Sequence, residues 1–285
     1  MGFAYILIVV LAVTAFACLA KLAARKGVPP FDLTFSMFGA AAVLGYLLTV
    51  LNGTGWDRYT VQLGALSALA GASGAVAVFV FNYAVKIGHF GFSNGIYRMS
   101  FLIPVIFSVV FLKAGLKAET AVGIASILAS ILLVSWSNES FGKAGIKWFI
   151  LILCAFFLSG LPRVCQTLVS RQSLDSFAYL FLSYASGFVL LLGAFLLRRR
   201  RIDPRGMYYG AIAAVAGYLG VFSTLEALRF LPPVVVFPVT LSAPILLGLL
   251  ISLLLKEKIR MAGWIGIAAG VCGILILSFQ VYSKP

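Results

Sequence analysis

Ten apolar runs of about 20 residues, separated by short polar turns, constrain this chain more than any other feature of its sequence. Roughly 20 residues of α-helix span a hydrocarbon core of ~30 Å, and in that core only helices or closed barrels satisfy every backbone N–H and C=O. The runs lack the period-two alternation of barrel strands, which leaves helices. With 62% hydrophobic residues, 11% charged and a mean hydropathy of +1.08, the 285 residues carry more apolar surface than a soluble domain could bury. The sequence therefore predicts an all-α integral membrane protein. Its ten transmembrane helices are expected near residues 3–22, 33–51, 61–85, 90–112, 119–136, 148–168, 176–197, 207–228, 233–255 and 261–279.

The runs are written twice. Adding 143 carries Asp32 onto Asp175, Arg58 onto Arg201, Gly74 onto Gly217, Phe79 onto Phe222, Lys86 onto Arg229 and Lys113 onto Lys256. The same step carries Gly123-Ile124-Ala125 onto Gly266-Ile267-Ala268, and Ser135 onto Ser278. The reading is two five-helix repeats, 1–137 and 146–285, joined by a connector at 138–145. An odd number of helices per copy makes the second copy enter the membrane from the opposite side, so the repeats are expected to be inverted. Inverted repeats whose halves rock about a midplane site are a transporter construction.

Charge bears on orientation. Of the 22 Lys and Arg, fourteen fall in the connectors 1/2, 3/4, 5/6, 7/8 and 9/10 and six on the other side, leaving Arg98 and Arg163 inside spans. That count puts the first set in the cytoplasm and both termini outside. Arg198 to Arg201 lies beside a membrane span, so the net charge of +14 is read as topology and no nucleic-acid partner is expected. The first span has no basic residue before its apolar core, so it is read as a mature helix instead of a cleaved signal. Cys18, Cys154, Cys165 and Cys272 lie within apolar spans without CxxC spacing and are expected as small core residues, not metal ligands.

With Val28-Pro29-Pro30 after span 1, Ala227-Leu228-Arg229 ending span 8, Ala243-Pro244 in span 9, the Lys256-Glu257-Lys258-Ile259 turn and a Gly-rich helix from Gly263 to Gly273, the chain resembles the drug/metabolite transporter superfamily, in particular its EamA-like ten-helix members. It departs from them at Ser100-Phe101, Lys113-Ala114-Gly115 and Thr14-Ala15-Phe16. The resemblance implies a secondary transporter in the cell (inner) membrane, with cytoplasmic termini and a central cavity lined by spans 1, 3, 4, 6, 8 and 9. A sugar-phosphate or nucleotide-sugar exchanger of the same superfamily and a non-transporting helical scaffold are the alternatives. The expected partners are a small-molecule substrate and the bilayer, and a monomer suffices.

On those spans lie the candidate substrate-binding residues Asn82, Tyr83, Asn94, Tyr97, Arg98, Arg163, Gln166, Tyr218, Thr224 and Glu226. Asn94 and Arg98 are four apart, on one helical face. A charged side chain at a helix centre costs about 2.5–3.5 kcal/mol on insertion scales, so Arg98 needs compensation. It either binds an incoming anion through its bidentate fork or is held by an internal ion pair or carbonyl that only fixes packing. For Arg163 the alternative is snorkelling to the interface, and for Glu226 a local pair with Arg229. His89 reads as a turn residue. Pro104, Pro238 and Pro244 are hinge candidates, since proline removes a helix donor. No HExxH, P-loop or GxSxG motif is present, so no enzyme activity and no cofactor are expected, and transport is driven by a gradient or by exchange.

Overall fold

A computed structural model of the chain describes residues 1–54, 60–87, 90–113, 115, 117–137, 145–198, 202–254 and 261–282. His89, the Lys256–Ile259 turn and most of the connector lie outside the described residues. The helices are α1 (Gly2–Arg25), α2 (Pro30–Leu51), α3 (Val61–Ile87), α4 (Phe90–Arg98), α5 (Leu102–Val110), α6 (Ala118–Ser137), α7 (Ile146–Arg171), α8 (Ser176–Arg198), α9 (Pro204–Phe230), α10 (Pro233–Leu254) and α11 (Met261–Tyr282). Seven helices among the described residues, counting the α4–α5 pair as one, are long and apolar enough to cross a membrane, with shorter apolar segments in α6, α10 and α11. The chain is an all-α membrane protein.

The expected fourth span is not one continuous α-helix. It breaks at a 3-10 turn, Met99–Phe101, between α4 and α5. Pro104 supplies the reason: it has no N–H for the carbonyl of Ser100, and its ring crowds that carbonyl. Ser100 and Phe101 are fully buried, so the break sits inside packed structure. Pro162 in α7, and Pro238 and Pro244 in α10, leave their helices continuous.

Three helices end alike. The N–H of Val28 bonds Ala23 O and that of Gly27 bonds Ala24 O at the end of α1, and Gly53/Thr54 and Ser173/Leu174 repeat this for α2 and α7. The pattern needs a left-handed residue, and φ is +74° at Gly27, +65° at Gly53 and +52° at Ser173.

The chain forms two compact units, and neither is a sequence repeat. The first, residues 1–79 and 161–230, takes the early helices of both copies. At its centre α2 and α8 cross glycine against phenylalanine. A Cβ on Gly45 would stand 3.0 Å from the Phe181 backbone, and one on Gly187 would overlap Phe38. Phe38 and Phe181 are themselves 143 residues apart, so the crossing uses equivalent side chains from each copy. Leu63, Val169, Tyr179, Leu180 and Leu225 complete this core. Gly71 of α3 approaches Ser183 O so closely that no side chain fits, the close backbone approach that small residues allow.

The second unit, residues 80–160 and 231–285, holds the fourth and fifth spans of both expected copies together with the C-terminal end of α3 and the N-terminal part of α7. Here α6 and α11, the same position in each copy, cross at Gly123 and Gly273, where added Cβ atoms would come 2.9 Å from Leu277 Cγ and 2.8 Å from Gly123 O. The expectation that the cysteines are core residues holds for Cys165 alone. Cys18, Cys154 and Cys272 are exposed, because an apolar residue of a membrane helix can face lipid as well as protein.

Candidate functional site

The candidate residues divide between the units. Asn82, Tyr83, Asn94, Tyr97 and Arg98 belong to the second, with Pro104, Pro238 and Pro244; Arg163, Gln166, Tyr218, Thr224 and Glu226 belong to the first.

In the second unit Arg98 ends α4 directly before the 3-10 turn. Its Nε–H donates to Asn94 Oδ1 at 3.2 Å, so the pair predicted from their spacing is made. Its Nη1 donates to the backbone oxygen of Leu241 in α10 at 3.2 Å. Of the two readings of Arg98, the carbonyl-bonded geometry is thus the one present. Leu241 is residue 98 plus 143: the arginine holds the carbonyl of its own counterpart. The fourth span carries no acidic residue of its own in the sequence, so its own side chains bring no carboxylate to the guanidinium. Hydrogen bonds from a charged donor contribute about 1.5–3 kcal/mol each, enough to offset much of the insertion cost.

Beside this pair, Tyr97 packs its ring on Phe81 at 4.6 Å, and Ala84, Ile152 and Ala155 form a small core with Tyr97, Phe81 and Trp148. Trp148 Nε1–H donates to the buried Ser93 hydroxyl at 2.9 Å, pinning the start of α7 to α4. Tyr83 is exposed and takes Lys147 over its ring at 5.8 Å, an interfacial contact at the first turn of α7. Asn82 is half-buried near the end of α3.

In the first unit Glu226 forms the local helix pair with Arg229, Oε1 to Nε 3.3 Å. The Ser176 hydroxyl donates to the same carboxylate oxygen at 2.9 Å and accepts from Arg229 Nη2 at 3.0 Å. Arg229 also reaches Leu174 O at 3.4 Å, so the group ties the end of α9 to the start of α8. Thr224 donates to Gly220 O of its own helix at 2.7 Å. Gln166 is buried, and Arg163, on the same face of α7, is half-buried and offers its carbonyl to the Thr167 hydroxyl at 3.0 Å. Tyr218 is 2% exposed, stacks on Tyr184 at 6.2 Å, and its hydroxyl finds no partner among the described residues.

Sequence reasoning missed Ser176, Trp148 and the Leu241 carbonyl. A buried serine and a backbone oxygen carry no local signature, but the offset was the signal for Leu241, since it maps Arg98 there directly.

Residues 146–279 match the profile of the EamA-like transporter family. A crystal structure aligns with this chain over 100% of both, with a TM-score of 0.79 at 16% identity, which shows a shared fold. No curated protein sequence matches the chain.

Proposed function

We infer, from a chain whose residues 146–279 belong to the EamA-like transporter family and so to the drug/metabolite transporter superfamily, that it is a secondary transporter moving a small polar, anionic metabolite by alternating access. The observation that carries the anionic preference is Arg98: a guanidinium inside a span without an acidic residue, oriented by Asn94 and satisfied at Nη1 by a neutral carbonyl. A carboxylate or phosphate pairs with that fork more strongly than a carbonyl does. The glycine-lined crossings of equivalent helices within each unit support an inverted ten-helix arrangement. Loss of one charge-assisted contact predicts a tenfold to hundredfold weaker affinity, from about 1.5–3 kcal/mol.

The test is uptake of labelled organic acids and sugar phosphates by liposomes carrying the protein, with binding and melting temperature measured for Arg98→Gln and Arg163→Gln. Intact melting with lost binding is the expected result for Arg98→Gln. Normal binding with early melting makes Arg98 scaffold and ends the anionic reading. A reporter fused after Pro285 separates the two orientations: cytoplasmic activity matches the family-implied side, and external activity the charge count.

A further inference from the structure

The bond from Arg98 to Leu241 joins two helices where proline perturbs each of them. On one side, α4 stops at Arg98 and the chain passes through the 3-10 turn that Pro104 enforces. On the other, Leu241 lies midway between Pro238 and Pro244, which deprive the carbonyls of Val234 and Thr240 of their helix donors. In the same stretch the Thr240 hydroxyl bonds Val236 O at 2.8 Å and the Ser242 hydroxyl bonds Pro238 O at 2.7 Å, a back-bonding that bends helices. A helix weakened in this way moves when its external tie is released.

The tie is also replaceable. A neutral carbonyl is the weaker partner for a guanidinium, and a carboxylate or phosphate that takes up the same donor gains a charge-assisted, two-pronged contact. Meanwhile the Nε–H bond to Asn94 Oδ1 runs within α4 and keeps the side chain aimed after Leu241 is released. We propose that the Arg98–Leu241 bond is a ligand-displaceable tie: the anionic group of the substrate takes Nη1 from Leu241 O, and α10 is freed from the α4–α5 break. Asn94 is then the positioning residue and the carbonyl of Leu241 the competitor. The inference rests on the anionic reading of Arg98 and deepens it. It gives the substrate different affinities for the tied and released states, without which a ligand shifts no conformational equilibrium.

The experiment is amide hydrogen exchange of the full chain in detergent micelles, read over residues 233–244. Exchange over 118–133 serves as the control for an intact fold. Wild type and the variants Arg98→Gln, Arg98→Lys and Asn94→Ala are compared alone, with inorganic phosphate, with succinate, and with chloride at equal ionic strength. Arg98→Gln is expected to exchange roughly tenfold faster over 233–244 than wild type, with unchanged control exchange and no response to anions. Phosphate or succinate moves the wild type toward that pattern and chloride does not. Arg98→Lys, whose single ammonium cannot serve Asn94 and Leu241 with the geometry of the fork, falls between them. Asn94→Ala keeps wild-type exchange without ligand but needs more anion for the same loosening. An Arg98→Gln protein as protected over 233–244 as the wild type overturns the tie. A loosened Arg98→Gln beside a wild type that neither oxyanion loosens overturns the displacement. Uptake into liposomes reads the transport proposal separately, because anion-driven loosening without uptake leaves the tie standing and removes the transport reading.

Discussion

The fourth and ninth expected spans stand 143 residues apart in the sequence, yet they solve the membrane's backbone problem differently. The fourth carries Arg98 and Pro104 and breaks into α4, a 3-10 turn and α5; the ninth carries Leu241 at the matching site and runs unbroken from Pro233 to Leu254 through two prolines. The charge went to the broken copy, where the discontinuity places a side chain opposite an intact helix's carbonyl. The same divergence marks the start of the second helix in each half. Asp175 accepts the N–H of Ala178 at 2.8 Å and caps its own helix. Its counterpart Asp32 lies within the first turn of α2 because Pro29 and Pro30 already start that helix, and its Oδ2 accepts the N–H of Asp203 at 3.1 Å, holding the start of α9. Gly27 and Ser173 close the first helix of each copy with the same bonds but not the same ease. Positions matched at the 143-residue offset thus do different work in the packed structure.

The sharpest way to break the comparison is to put the charge in both copies. Leu241→Arg sets a second guanidinium against Arg98 and should cost on the order of 3 kcal/mol or more, seen as loss of the folded peak on gel filtration and a collapsed melting temperature. The exchange Arg98→Leu with Leu241→Arg should recover most of that loss, since the new arginine can reach the carbonyl of residue 98. A double variant no better than Leu241→Arg would show that the two positions are not interchangeable.

Smaller effects are expected at the aspartates. Asp32→Ala removes a charged acceptor between two helices and should destabilise by about 1.5–3 kcal/mol, while Asp175→Ala loses one N-cap and about 1 kcal/mol. Equal shifts in a thermal melt would erase the difference between them. The smallest change is a gain. Ser173→Gly relieves a left-handed residue that bears a side chain and should raise stability by up to about 1 kcal/mol, whereas Gly27→Ala should lose about that much. A Ser173→Gly protein that melts lower would mean that the serine hydroxyl matters more there than φ.

Much of the candidate site could be read from residue types and spacing. Asn94 and Arg98 pair because four residues bring side chains together on any α-helix, and Glu226 meets Arg229 for the same local reason. The break after Arg98 was harder, since four prolines lie within helices and only Pro104 interrupts one. Proline removes the same donor everywhere; whether the chain bends, back-bonds or changes helix type depends on neighbours far away in sequence.

The sequence alone determined that this chain is a helical membrane protein, because apolar run length answers to the thickness of hydrocarbon, and it set matched residues at one offset of 143. Only the tertiary structure decided that the compact units take helices from both copies and that the Arg98 guanidinium rests on the carbonyl of residue 241. Both depend on which backbones approach closely. A carbonyl has no identity in the sequence, and a glycine declares its close contact only when the opposing helix is in place.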